Sequence, residues 1–209
     1  MKTLSLPIRL LLSAAACIGL TGCFGFLKPS PVNTRYFVLT PLPAAKSAPP
    51  APGAPVALAV GVGFVKLPAY LFNSAVALRS APNEVSYREN VLWAERLDNG
   101  LQRILAANLA TLLPTDRIRL SAWQPEDVAV EVYVTVEQCD VDSTGRGVLV
   151  AWWRILSPGG GKTLKAGQFR AVRPGPSLIT DPQGAIATLS ELAADLSREI
   201  AQGIKAGVP

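Results

Sequence analysis

The chain has 209 residues, no histidine, 20 Lys and Arg against 15 Asp and Glu, and a formal net charge of +5. Without imidazole, Ser-His-Asp and Cys-His catalysis are excluded, as are nearly all zinc sites, which draw on His or on several Cys. At 49% hydrophobic and 17% charged residues the chain is too apolar for disorder, and its length suits one domain plus extras.

Residues 1–22 read as an address rather than as structure. Lys2 and Arg9 form a basic n-region, and 10–18 is apolar with Ala14, Ala15 and Ala16 inside it. So short a run cannot span a ~30 Å hydrocarbon core, which takes about 20 residues; it fits a secretory signal peptide. Leu20-Thr21-Gly22-Cys23 resembles the lipobox of bacterial lipoproteins. That resemblance implies diacylglycerol on the Cys23 sulfur, cleavage between Gly22 and Cys23, and acylation of the new N-terminus. Only a thiol supplies the thioether, and small residues before it fit the peptidase. One myristoyl chain binds a membrane marginally and each buried CH₂ adds about 0.8 kcal/mol, so three chains would anchor the protein durably. In the enterobacterial sorting pattern Asp after the lipidated Cys retains a lipoprotein in the inner membrane. Phe24 stands there instead, which implies the outer membrane, facing the periplasm.

Removing residues 1–22 takes away two basic residues and no acidic one, leaving 187 residues and a charge of +3. The basicity is therefore partly a targeting signal and gives little reason to invoke nucleic acid. Cys17 leaves with the signal and Cys23 is consumed by lipid. Cys139 is then the sole thiol, and no internal disulfide can form despite the oxidising compartment.

Residues 23–34, with Pro29 and Pro31, form a tether. The run 35–39 (Arg-Tyr-Phe-Val-Leu) is a first strand, opening a domain over 35–209. Residues 41–55 hold six prolines and five alanines, a semi-rigid insertion within the domain. Residues 56–65 are nearly continuously apolar, as in a strand buried on both faces. Residues 75–79 and 84–87 form a short pair joined through Pro82-Asn83. The leucine spacing over 93–113 predicts a helix ended by Pro114. Ile118 and Leu120 begin a strand, and Val128, Val130, Val132, Val134 and Val136 alternate with polar residues in another. Two further strands, 148–156 and 163–172, follow glycine turns. A helix over 184–205 ends the domain, with Ile186, Leu189, Leu192, Leu196, Ile200 and Ile204 on one face.

Several motifs imitate chemistry and fail on spacing. Gly161-Lys162-Thr163 resembles the end of a P-loop, but Leu156 stands where the first Gly belongs, and a strand follows. Asp140 to Gly145 imitates the start of a calcium loop, but its twelfth position is Ala151 instead of Glu. Gly61-Val62-Gly63 lacks the third glycine of a dinucleotide fingerprint, which is Lys66. Trp152 and Trp153, adjacent on a strand, face opposite sides and form no common platform; one is expected in each helix–sheet layer. Glu84, Glu89 and Glu95 read as solvated or salt-bridged carboxylates. Cys139 falls in phase with Glu137 and Thr135, away from the valine face. Nothing in the sequence asks for a catalytic residue, a cofactor or a metal.

Tyr36-Phe37-Val38-Leu39 soon after the lipobox, the run 60–71 (Val-Gly-Val-Gly-Phe-Val-Lys-Leu-Pro-Ala-Tyr-Leu), Leu92-Trp93-Ala94-Glu95-Arg96-Leu97 leading into a helix, the strand ending Ala151-Trp152-Trp153, and the C-terminal helix recur in this order in one family. The chain resembles, over 35–205, the ABC-type transport auxiliary lipoproteins, which include the paraquat-inducible protein C lipoprotein. The resemblance implies a three-layer α/β single domain with a mixed β-sheet, similar to the N-terminal domain of the Tol-system propeller protein. It also implies an outer-membrane lipoprotein that docks the periplasmic mammalian-cell-entry (MCE) protein of an ABC transporter moving lipids between the membranes. The family supplies no catalytic residues to carry over.

The segment Leu67, Pro68, Ala69, Tyr70, Leu71, Phe72 places three large apolar groups in a Pro-broken loop. It is the candidate partner interface, against the alternative that it folds back to cap the core. A carrier of lipid or solute acting alone is the competing function and would need a cavity of several hundred Å³. A homo-oligomer around the partner is left open by the sequence.

Overall fold

The computed structural model describes residues 33–44, 58–113, 115 and 117–207. The signal peptide, Cys23, nearly all of the tether and most of the Pro/Ala insertion lie outside the described residues. Residues Thr34–Pro209 form one compact unit. Its strands are β1 (Arg35–Phe37), β2 (Val60–Val62), β3 (Ala75–Ala81), β4 (Glu84–Trp93), β5 (Ile118–Leu120), β6 (Val130–Asp142), β7 (Gly147–Leu156) and β8 (Thr163–Arg173). Its helices are α1 (Leu97–Leu112), between β4 and β5, and α2 (Pro182–Gly207), at the end. No described helix is long and apolar enough to cross a membrane.

The eight strands make one mixed sheet built on β6. Along one edge β6 pairs antiparallel with β7, which pairs with β8. Its other edge is shared. The first part pairs parallel with β2, which leads to β5. The last part pairs parallel with β3, which leads to β4 and β1. The sheet therefore forks midway along β6, and the chain bridges the fork between Gly63 and Ser74.

The valine alternation holds through Val136, and then a β-bulge intervenes. Val136 is opposite Ala151, whereas Gln138 is opposite Val150, so Glu137 is the extra residue. The phase flips, and Cys139 and Val141 join the valine face. Cys139 is thus a core residue at 3% exposure, not a neighbour of Glu137 on the polar side as its spacing suggested.

Both helices cover the valine face. Leu101, Ile104, Ala193 and Leu196 meet Val134 and Val136 there around a void of about 10 Å³, at the limit for one water. The α/β class and the mixed sheet are those expected. The layering is two rather than three, because among the described residues no helix covers the opposite face. The tryptophans show the consequence. Trp153 lies under α2, where a Cβ on Gly203 would come within 3.0 Å of its ring, and its indole donates to Glu199 Oε1. Trp152 faces the open side and is 48% exposed.

Boundaries moved where tertiary partners decided them. Trp93 is the last residue of β4, opposite Phe37, so α1 begins four residues later than the leucine spacing suggested. The expected strand 35–39 stops at Phe37 because the next backbone groups turn to the helices. Leu39 is buried and its carbonyl accepts from Arg103. The Thr40 N–H donates to Ser190 Oγ at 3.1 Å and the Leu42 N–H to Asn108 Oδ1 at 2.7 Å. Asn108 in turn donates to Ser197 Oγ, so this extended segment is satisfied by polar side chains in the α1–α2 seam rather than by a neighbouring strand.

The β6–β7 connection is a polar hairpin turn. Burial works against the ionised Asp142 carboxyl, but hydrogen bonds from Thr144 and Arg146 outweigh it and hold it at about 2.

Candidate partner-docking site

The segment 67–72 lies in the fork of the sheet. Lys66 makes a parallel bridge to Thr135, and the Leu71 N–H then closes a 3-10 turn on the Pro68 carbonyl. Leu71 points inward at 3% exposure. Leu67 and Tyr70 lie half-buried against the core. Phe72 alone of the large apolar groups is open, at 52%. The structure thus folds Leu67, Tyr70 and Leu71 down as a plug, with Pro68 partly covered beside them.

Tyr70 is held from below. Its hydroxyl donates to Asp140 Oδ2 at 3.0 Å, and its carbonyl accepts from the Tyr87 hydroxyl at 2.8 Å. Asp140 is fully buried, with Arg79 Nη2 at 2.7 Å and Gln138 Nε2 at 2.8 Å. The Arg79 guanidinium also sits 5.8 Å from the Tyr70 ring centroid. Burial, with the Asp140 charge, pushes the Tyr70 phenol well above its ordinary value.

Phe72 forms one wall of a surface hollow of about 250 Å³, with Asn73, Ser74, Trp93, Arg96 and Leu97. The Arg96 guanidinium lies 5.1 Å from the Phe72 centroid and pairs with Asp98 at 2.7 Å. The Arg96 hydrogen bond, against a burial penalty, holds the Asp98 carboxyl below the usual carboxylate range. The site therefore offers an aromatic ring and a guanidinium around a shallow depression, suited to receiving a side chain. Arg96 and Trp93 were not legible as parts of it. They come from the entry to α1, and only the fold brings them to Phe72.

Elsewhere among the described residues, no buried side-chain nitrogen or oxygen lacks a hydrogen-bond partner. Glu131 is buried on the open face, where it accepts from Trp123 Nε1, the Tyr133 hydroxyl and the Gly159 N–H. Tyr133 covers Gly63 so closely that a Cβ there would stand 2.4 Å from its ring. Among the described residues no three His, Cys, Asp or Glu side chains are grouped to share a metal ion. Glu95 pairs with Arg103. Burial, with the adjacent Asp140 charge, pushes the Cys139 thiol up to about 12. Cys139 is therefore expected to resist a thiol reagent at pH 8 in the folded protein and to react at once in denaturant; rapid labelling of the native protein would show the bulge to be misplaced.

The sequence model of the ABC-type transport auxiliary lipoprotein component family matches residues 37–201. The chain belongs to this family. Among solved structures, this auxiliary lipoprotein is similar to an uncharacterised protein at 22% identity and TM-score 0.65, covering 82% of this chain and 99% of that one. It is similar also to a protein of Xanthomonas campestris at 14% identity and TM-score 0.65, covering 80% and 93%. At such identities the likeness concerns the fold. No curated protein matches the chain.

Proposed function

We propose that this auxiliary lipoprotein is anchored by Cys23 in the outer membrane, faces the periplasm, and docks the MCE-domain protein of an ABC lipid transport system. The family match over residues 37–201, most of the α/β domain, carries the reading. The domain's build supports it. Sheet and helices fill the interior, leaving about 10 Å³ where α1 and α2 meet the valine face, while a lipid carrier needs a cavity of several hundred Å³. The Phe72 hollow is the docking surface in this reading.

The hollow also tells which substitution tests it. Tyr70→Ser would remove a ligand of buried Asp140 and confuse binding with folding. Phe72→Ser is expected to leave stability within about 0.5 kcal/mol, as at other exposed positions. It is expected to lower recovery of the MCE-domain protein from solubilised envelope at least about tenfold, as for an interface aromatic that carries binding energy. Equal recovery by the folded variant would remove the hollow from the interface.

A further inference from the structure

The face of the sheet without helices has an unbalanced charge. Cross-strand register places its residues. Lys66 is opposite Thr135, Thr135 opposite Trp152, and Trp152 opposite Gln168. Tyr133 is opposite Arg154, Val150 opposite Arg170, and Arg119 opposite Gly61, which is itself opposite Glu131. Paired residues share a face, so Lys66, Arg119, Arg154 and Arg170 lie on the side of Trp152. All four are exposed, and none takes part in an ion pair among the described residues. The acids on this face do not balance them: Asp140 is paired with Arg79 and Asp142 with Arg146, Glu131 is buried, and Glu137 accepts from the neutral Trp152 indole at 2.7 Å, so the four cations face two carboxylates without an ion pair among the described residues. That bond pins the indole while leaving it 48% exposed, with Arg154 two residues along the same strand.

We propose that this open face rests on anionic lipid headgroups, with Arg154 and Arg170 on phosphates and Trp152 at the interface. Two arguments select a lipid surface. Unpaired guanidiniums beside an exposed indole match the chemistry of a headgroup layer, where Arg takes phosphate oxygens and Trp sits between water and acyl chain. The sequence also confines the domain. From Cys23 to Asn33 the chain can reach about 36 Å at full extension, so a domain anchored there stays at the bilayer surface. The inference rests on lipidation of Cys23. It goes beyond docking because it assigns a second surface and an orientation.

The test uses the mature lipidated protein in vesicles of phosphatidylethanolamine with a quarter phosphatidylglycerol, doped with a headgroup-nitroxide lipid that quenches nearby tryptophan. Flotation with the vesicles reports the anchor separately; a protein that does not float refutes the lipidation reading, and with it the basis of this one. For floating protein, quenching is expected to fall at least about twofold in Trp152→Phe, since an interfacial tryptophan is the one within reach of the probe. A similar fall is expected in Arg154→Ala/Arg170→Ala, in high salt, and in vesicles without phosphatidylglycerol. Trp152→Phe and the double variant change exposed side chains, and circular dichroism verifies their fold. Quenching that is absent, or the same in Trp152→Phe, would overturn the proposal. So would a Trp152 that is unquenched in vesicles yet shielded on addition of an acidic protein partner, which would assign the face to that partner.

Discussion

Replacing Cys23 with Ser is expected to abolish acyl labelling, leave residues 1–22 attached, and remove the protein from the outer-membrane fraction. The effect is close to all-or-none because the chemistry is. Serine has no thiol for the proposed thioether, and in the proposed reading cleavage before residue 23 depends on that lipid. Each acyl CH₂ withheld from the bilayer forfeits about 0.8 kcal/mol, so losing the chains cannot be offset by a few surface contacts. The folded domain, whose core lies in Thr34–Pro209, is expected to be unaffected. Intact-mass measurement and membrane fractionation read both halves of the prediction. A Cys23→Ser protein of mature mass that still fractionates with the outer membrane would show that the anchor lies elsewhere.

Arg79→Ala is expected to destabilise the domain by about 3 kcal/mol, the cost of leaving a buried charge without its partner. Asp140 has no exposure to water, while the Arg79 side chain is about one quarter exposed, at 24%. Removing Arg79 therefore strands a carboxylate that Tyr70 and Gln138 can only partly satisfy. Asp140→Asn leaves Arg79 able to reach water and keeps an acceptor for Tyr70, so it is expected to cost less, about 1–2 kcal/mol. Denaturant unfolding of both variants reads the order. The pair sits beneath the 67–72 plug, and its loss should also loosen Phe72. An Asp140→Asn protein less stable than Arg79→Ala would mean that hydrogen bonding, not charge pairing, holds the fork.

Much of the fold was legible because its patterns are local. Valines at period 2 locate β6, which holds four of the five (Val128 precedes it), and leucine spacing locates α1 and α2. What was not legible depends on partners distant in sequence. The bulge at Glu137 exists only in the pairing of β6 with β7, and it moved Cys139 into the core. The short β1 reflects Ser190 and Asn108, which take the backbone groups that a longer strand would have paired. At the docking segment composition identified an unusual loop, but could not say which apolar groups it keeps. Leu71 entered the core, Tyr70 found Asp140, and Phe72 remained outside beside Arg96. The open basic face is not legible in the sequence because its cations come from four segments of the chain. Only the register shows that they share a side.

In the proposed function this lipoprotein holds an MCE-domain partner through the Phe72 hollow. A photo-crosslinking residue in place of Phe72, in the full-length protein and in its native envelope, tests it most directly. An adduct, identified by mass spectrometry, is expected with an MCE-domain protein of an ABC transport system. The same residue in place of Ile179, exposed in the turn before α2, is expected to give none. Adducts with that protein from both positions alike, or from neither in an envelope that contains it, would rule out docking through the hollow.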